Sequence, residues 1–240
     1  DRVVALLVDQ VLTTHSLALT RPGDDIAVPA SLQRSDGSSV YTVAGAGLYT
    51  SRAILDAEAR IVAAGDRYDG MLVPAAAVDA AMLASATAGL PLNAGQAMLV
   101  REMATSGARL QLAIAPAGAG KTTAMRALAH AWTQAGGDVI GLAPSAAAAS
   151  VLGENLDAAT DTMAKLTWHL DHPDRDPLPE WAGRIGAGTL VVVDEAGMAD
   201  TLTLDTAVQF VTARGGQVRL IGDTQQLAAI GAGGVLRDIA

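Results

Sequence analysis

The chain has 240 residues, is 50% apolar and carries a formal net charge of −9 at pH 7. This length suits one large domain, or one domain with a smaller one beside it. The acidic balance argues against a strongly basic nucleic-acid surface but leaves room for a local cationic groove. Without cysteine there is no disulfide framework and no Cys-based zinc site. No apolar run reaches the roughly 20 residues that span a bilayer, and no secretory signal opens the chain. We therefore expect no membrane segment and a cytoplasmic protein.

Residues 1–90 are predicted to form a small mixed segment of helices and strands. Asp36-Gly37 is a hairpin turn dipeptide, and the residues from Val40 to Val43 favour a strand after it. Thr50-Ser51 is typical of a helix N-cap, since apolar residues at helical spacing follow it. Pro74–Thr87 is a second helix candidate.

Residues 91–240 alternate strand and helix patterns, and this alternation predicts a parallel sheet with helices on both faces. Asn93 is expected to cap the first helix. The continuous apolar run Leu190–Val193 is typical of a strand covered on both sides. The predicted strands are Leu110–Ala115, Asp138–Ala143, Thr189–Val193 and Gln217–Ile221. The predicted helices are Thr122–Gln134, Ser145–Glu154, Leu202–Ala213 and a terminal stretch from Val235.

The four histidines are scattered along the chain and show no metal-ligand spacing. A loop rich in Pro and Asp is predicted between Asp171 and Glu180 and is expected to be exposed. His169 and His172 are expected to lie on a surface turn there rather than on a metal.

A glycine-rich segment between a predicted strand and a predicted helix reads Ala-Pro-Ala-Gly-Ala-Gly-Lys-Thr-Thr. In this context backbone N–H groups cradle nucleotide phosphates. Lys121 would lie along the β- and γ-phosphates, and the Thr122 hydroxyl would bind Mg²⁺. Ala115 replaces the usual first glycine, which is tolerated if that residue keeps a negative φ. The predicted phosphate-binding residues are Pro116, Ala117, Gly118, Ala119, Gly120, Lys121, Thr122 and Thr123. The alternative is an ordinary glycine-rich turn that carries a lysine.

Two further polar segments follow predicted strands. Asp194 and Glu195 end the third strand, where ligands bind in open α/β sheets. Asp194 is predicted to hold Mg²⁺ directly or through water, and Glu195 to polarise the water that attacks the γ-phosphate. The fourth strand runs into Gly222-Asp-Thr-Gln-Gln-Leu227, where Gln226 could sense the γ-phosphate without adding charge. Each segment alone could instead be a solvated polar turn.

Gln96 precedes the first strand of the predicted sheet. A glutamine amide can bond both edge positions of adenine, one as donor and one as acceptor. Gln96 is therefore a candidate for contact with the adenine base. The alternative is that it is an ordinary surface residue of an amphipathic helix.

The order Gln96, the loop at 115–123, Asp194–Met198 and Gly222–Leu227 resembles the first RecA-like domain of superfamily 1 DNA helicases of the RecD-like branch. It is most similar to the helicase part of MobF-type (TrwC/TraI-type) conjugative relaxases. The resemblance covers roughly residues 49–240.

This resemblance implies an ATP- and Mg²⁺-dependent motor that moves 5′ to 3′ on single-stranded DNA. It also implies DNA contacts by Pro144, Ser145, Thr162 and Lys165, although the basic residue common in the family's Ala-Pro-Thr motif is replaced here by alanine. ATP in that family lies between two RecA-like domains, and the second domain supplies an arginine. The chain begins at Asp1 and ends inside an amphipathic stretch, so we expect it to be a piece of a longer protein that contains the second RecA-like domain and a relaxase domain.

Two other interpretations stay open. The chain could be a P-loop enzyme of another kind, such as a kinase or an AAA-type ATPase. It could also be a degenerate helicase-like module that docks on DNA or protein without turnover. By itself the 240-residue piece is expected to bind ATP–Mg²⁺ weakly and to hydrolyse it poorly.

Overall fold

The computed structural model describes residues 2–19, 29–35, 48–116 and 118–222. It divides into two compact units, Asp1–Asp56 and Ala57–Ala240. The predicted hairpin at Asp36-Gly37 and the predicted terminal helix from Val235 lie outside the described residues. The domain boundary at residue 90 stays a prediction.

Among its described residues, the first unit contains a helix and a small antiparallel pair of strands. Helix α1 covers Arg2–Thr14, and strands β1 (Leu17–Leu19) and β2 (Leu48–Thr50) pair with Leu17 opposite Thr50. A short 3-10 turn covers Ala30–Leu32. The division between the units falls within helix α2, which covers Arg52–Gly65 and begins where the Ser51 hydroxyl accepts a hydrogen bond from the Ile54 N–H.

The second unit is built on a five-stranded sheet in which every pair of neighbours is parallel, in the order β3-β7-β6-β4-β5. This confirms the predicted α/β fold. The four predicted strands form within one residue of their expected bounds. The strands are β3 (Leu110–Ile114), β4 (Asp138–Ala143), β5 (Ala159–Thr162), β6 (Thr189–Val193) and β7 (Gln217–Gly222).

Helices cover both faces of this sheet. Successive strand residues point to opposite sides, so a strand that is apolar throughout presents apolar side chains on both faces. In β6, Leu190 and Val192 join one buried cluster while Val191 and Val193 join the other. The helices are α3 (Ala75–Thr87), α4 (Ala94–Thr105), α5 (Lys121–Gln134), α6 (Ala146–Leu156), α7 (Met163–Asp171), α8 (Glu180–Gly183) and α9 (Thr201–Ala213). Helices α3 to α6 supply the first cluster, and α2, α7, α8 and α9 supply the second.

Several of these helices begin where the sequence offers a side-chain oxygen as N-cap. Asn93 starts α4, Ser145 starts α6, Thr162 starts α7 and Asp200 starts α9, and each accepts a hydrogen bond from a backbone N–H in the first turn. In the part of the chain that the structure describes, no helix is long and apolar enough to cross a membrane.

Strand β5 and helix α7 are not among the predicted elements, and the predicted position of His169 on a surface turn is wrong. Strand β5 is short and polar, with Thr160 and Asp161 at its centre, so no apolar pattern marks it. His169 lies inside α7 and is buried, not on a surface turn. His172 follows α7 as its C-cap residue, at the start of the exposed loop that was expected between Asp171 and Glu180.

Strand β7 carries two buried polar side chains, Gln217 and Arg219, on the face that packs against α4. The Arg219 guanidinium donates to the carbonyl oxygens of Met103 and Ala108, at 2.7 and 3.0 Å, and lies over the Trp132 ring. Gln217 donates to the same Ala108 oxygen at 3.0 Å. Burial lowers the pKa of Arg219 to about 9, which leaves the side chain charged at pH 7. The C-terminal end of α4 is thus fixed to β7, the strand that pairs with β3.

Candidate nucleotide site

The glycine-rich loop connects the end of β3 to the start of α5, as the sequence predicts. Ala115 N–H donates to the Gly222 carbonyl on the neighbouring strand β7 at 3.2 Å, and Ala119 N–H donates to the Pro116 carbonyl at 3.2 Å. Gly118 and Gly120 have φ of 76° and 77°, in the left-handed region that side chains with a Cβ rarely adopt. Among the described residues, only Asp157 and Glu195 combine a positive φ with a side chain. Ala115 therefore keeps the negative φ that its side chain requires.

The start of α5 supplies the features of an anion site. The first N–H groups of a helix have no acceptor within the helix, and the helix dipole makes this end positive. Gly120 is the N-cap residue and contributes no side-chain cap, so the approach to these N–H groups is not blocked by a capping oxygen. Thr122 and Thr123 follow in the first turn. Ala117 lies outside the described residues.

Lys121 folds back over the loop. Its Nζ donates to the Ala115 carbonyl oxygen at 3.1 Å, so the ammonium group lies across the loop it follows in sequence. A cleft of about 380 Å³ opens beside this lysine and is lined by the first turns of α4, the end of β3 and the start of α5. A ligand phosphate placed on the loop would meet the Lys121 ammonium group directly.

Gln96 contacts the same loop from helix α4. Its amide oxygen accepts from the Asn93 N–H at 2.9 Å and completes a capping box, while its amide nitrogen donates to the Ala119 carbonyl at 2.8 Å. A Cβ at Gly120 would overlap this amide nitrogen. Gln96 thus ties the start of α4 to the loop. Both halves of its amide are engaged here, so contact with adenine would require the side chain to turn away from Ala119.

Asp194 and Glu195 leave the sheet at the end of β6. Because β3, β7 and β6 are parallel neighbours, their carboxyl ends lie at one edge of the sheet. Strands in a sheet are about 4.8 Å apart, so the ends of β3 and β6, with β7 between them, are separated by roughly 10 Å. The glycine-rich loop and the acidic pair therefore face the same region, and the segment after Gly222 starts between them.

The acidic pair has an unusual backbone. The Asp194 N–H donates to the Leu142 carbonyl of β4 at 3.0 Å, and the Asp194 carboxylate accepts from the Glu195 N–H at 2.9 Å. Glu195 adopts φ 51° and ψ 37°, a left-handed conformation that costs a residue with a side chain about 1–2 kcal/mol. This turn ends the strand abruptly and leaves both carboxylates partly exposed at the sheet edge.

The oxygen donors at this edge suit magnesium. Mg²⁺ at nucleotide sites takes one or two carboxylates and completes its octahedral shell with phosphate oxygens and water. The Asp194 carboxylate and the Thr122 hydroxyl are donors of this hard type, and they follow strands that end at the same edge. The donor set therefore fits the ion that the sequence predicts.

The predicted DNA-contact residues follow the two remaining strands of the same edge. Pro144 and Ser145 come after β4, and Thr162 ends β5 opposite Ala143. Lys165, in the first turn of α7, donates to the Asp161 carboxylate at 2.7 Å. Burial of Asp161 opposes its ionisation, but hydrogen bonds from Lys165, the Thr162 N–H and Trp181 outweigh this and lower its pKa.

Gln226 lies outside the described residues, as does the rest of the segment after Gly222. Arg219 supports the site without being one of its predicted residues, because it fixes α4 and so indirectly Gln96. A signal was present, since Gln217 and Arg219 alternate with apolar residues in β7, whereas the neighbouring strand β6 is apolar from Leu190 to Val193.

Comparison with known proteins agrees with this geometry. The family model for the AAA domain matches residues 91–240. The chain is 35% identical over 134 residues to the probable conjugal transfer protein TraA of Sinorhizobium fredii and to the conjugal transfer protein TraA of Rhizobium radiobacter. It is 35% identical over 133 residues to the TraA protein of Agrobacterium fabrum. Each alignment covers 55% of this chain and 11% of the relative.

The family match covers more than half of the chain and begins just before the capped helix that carries Gln96. Within it lie the glycine-rich loop, the acidic pair and the whole parallel sheet. The chain therefore belongs to the AAA domain family, whose P-loop fold binds nucleotides.

Proposed function

We propose that this chain is the ATP-binding and hydrolysing motor domain of a single-stranded DNA helicase or translocase. The observation that carries the proposal is the parallel arrangement of β3, β7 and β6, whose carboxyl ends bring the loop of Lys121 and the pair Asp194-Glu195 to one edge. Hydrolysis of a nucleoside triphosphate needs cationic groups and backbone N–H groups that hold the phosphates. It also needs carboxylates that hold Mg²⁺ and orient the attacking water.

In this proposal the loop at 115–123 holds the phosphates of ATP. Lys121 would leave the Ala115 carbonyl and donate to the β- and γ-phosphates, and Thr122 and Asp194 would hold Mg²⁺. Bound Mg²⁺ neutralises charge on the phosphate oxygens. Glu195 would accept a proton from the attacking water. It follows Asp194 directly, and its left-handed backbone ends the strand. Gln226 would sense the γ-phosphate, and Gln96 would contact adenine after turning from Ala119.

The relatives give the proposal its biological setting. Three similar proteins are named conjugal transfer proteins, and this chain spans 11% of their length. We propose that the parent protein is a cytoplasmic relaxase-helicase that moves 5′ to 3′ on single-stranded DNA. A second RecA-like domain would supply the arginine that stabilises transition-state charge, an effect worth about 10³–10⁵ in turnover in other NTPases. The 240-residue chain by itself would then bind MgATP but turn over slowly.

The test is MgATP binding and hydrolysis by the chain, with and without an oligo-dT strand. Lys121→Ala removes a charged donor worth about 1.5–3 kcal/mol, so MgATP affinity is expected to fall by about 10- to 150-fold. Arg126→Ala, which removes a cation from the outer side of the same helix, is the matched control and keeps the affinity. Glu195→Gln is expected to retain binding and to lower kcat by about 10²–10⁴.

The other interpretations predict different results. A P-loop ATPase of another kind would hydrolyse ATP at a rate that single-stranded DNA does not change. A docking module without turnover would bind no MgATP, and Lys121→Ala would have no effect. Either result would contradict the proposed function.

A further inference from the structure

Helix α7 carries an exposed aromatic and cationic stripe. Lys165, Trp168 and His172 are spaced by three and four residues, which places them on one side of the helix. Trp168 is 43% exposed, in a chain of which aromatic residues make up only 3%. The indole stacks on the His172 ring with centroids 4.9 Å apart and planes 20° apart. His169 meets the indole edge-on at 5.1 Å. Two imidazoles thus hold the exposed indole in place.

The stripe begins at the edge of the sheet that carries the candidate nucleotide site. Strand β5 ends at Thr162, which pairs with Ala143 at the end of β4, and α7 starts at the next residue. The chain has two lysines, Lys121 in the glycine-rich loop and Lys165 on this stripe, and both follow strands that end at this edge.

We propose that Trp168 and His172 form a base-stacking platform for single-stranded DNA, with Lys165 beside it to contact a phosphate. This rests on the proposed function, because it names a contact for the proposed DNA substrate. Proteins that bind single strands without sequence preference combine cations with exposed aromatic rings on which bases stack. Neither Trp168 nor His172 is among the residues for which the helicase resemblance implies a DNA contact.

The charges around the stripe decide which interaction dominates. Asp161 pairs with Lys165 at 2.7 Å, Asp176 lies 4.0 Å from the His169 imidazole, and Asp171 is exposed at the end of the helix. These carboxylates oppose long-range attraction of phosphates. Binding at the stripe is therefore carried by stacking, and its affinity should change little with salt, in contrast to binding dominated by phosphate contacts.

The experiment measures binding of a fluorescein-labelled oligo-dT strand to the full chain by anisotropy. Trp168→Ala removes one stacked base, which is expected to weaken binding by about 5- to 150-fold. Trp168→Phe keeps a ring and should retain most of the affinity. Tyr68→Ala removes an aromatic that is 68% exposed and lies off the stripe, and it should change nothing. With an abasic strand of equal length, Trp168→Ala and the unmodified chain should bind alike.

Nucleotide binding separates this inference from the proposed function. The Trp168→Ala variant should bind MgATP as the unmodified chain does, and oligo-dT should shield Lys165 from an amine-reactive reagent while MgATP shields Lys121. If oligo-dT binds the chain and Trp168→Ala does not weaken it, the platform is refuted while the motor proposal stands. If MgATP binds and no oligo-dT binds, the platform is also refuted. If the unmodified chain does not bind MgATP, the proposed function is refuted.

Discussion

Substitution of Gly120 by alanine should destabilise the chain more than the same change at Gly118. Both glycines have nearly the same positive φ, 77° and 76°. Adding a Cβ in this conformation costs about 1–2 kcal/mol, partly offset by about 0.4–1 kcal/mol of lost freedom in the unfolded chain. These contributions are equal at the two positions.

The difference between the two glycines is their surroundings. A Cβ at Gly118 meets nothing within 4 Å, whereas a Cβ at Gly120 overlaps the Gln96 amide nitrogen. Gln96 must then turn away from the Ala119 carbonyl and lose a 2.8 Å hydrogen bond, worth about 0.5–1.5 kcal/mol. We expect Gly118→Ala to cost about 1 kcal/mol and Gly120→Ala about 2 kcal/mol.

Urea denaturation of the two variants, followed by circular dichroism, measures this difference in the free energy of unfolding. A double-mutant cycle isolates its cause, since Gly120→Ala made in a Gln96→Ala background should cost no more than Gly118→Ala. Independent sites add to within about 0.3–0.5 kcal/mol. Equal costs for the two glycines, or a coupling energy inside that range, would refute the contact between Gln96 and the loop.

Two further predictions concern the support of the sheet and the acid sensitivity of the fold. Arg219→Met should lower the free energy of unfolding by about 1–3 kcal/mol, because the buried Met103 carbonyl oxygen loses its Arg219 donor, while the Ala108 oxygen keeps the donor from Gln217; urea titration checks this, and an unchanged free energy of unfolding would contradict it. Hydrogen bonds from Arg109 hold the pKa of Asp69 below its ordinary value of 3.8, so Asp69 stabilises the fold above that pH and ceases to as pH falls. Asp69→Asn should thus be destabilising at pH 7, and in parallel melts this destabilisation should shrink as pH falls below 3.8 but still be present in part at about pH 3, because the folded-state pKa lies well below that pH. A difference independent of pH would contradict this.

The sequence predicted the parallel sheet because its central strands are apolar. Leu190–Val193 is a continuous apolar run, which is typical of a strand that is buried on both faces, as β6 is. Strands β3, β4 and β7 also carry enough apolar residues to be recognised as strands. Strand β5 was missed because Thr160 and Asp161 give it no apolar signal, and it lies at the edge of the sheet where less burial is needed.

The environment of single polar residues was harder to predict. The expectation that His169 lies at the surface is wrong, because helix α7 is not predicted from the sequence. This helix turns His169 inward. Gln96 was considered for adenine from its chemistry alone. Its bond to the Ala119 carbonyl depends on the distance between α4 and the loop, which local sequence does not contain. Arg219 lies within the predicted strand Gln217–Ile221, but the strand pattern does not predict that its side chain bonds to α4.

A crystal structure of the chain with Mg²⁺ and a non-hydrolysable ATP analogue would show whether the glycine-rich loop and Asp194 hold one MgATP between them. Lys121 Nζ is expected to leave the Ala115 carbonyl, now 3.1 Å away, and to lie about 2.7–3.2 Å from phosphate oxygens. Asp194 should face the metal ion from the end of β6. An analogue bound elsewhere, or phosphates on the loop with Asp194 turned away from the ion, would contradict it.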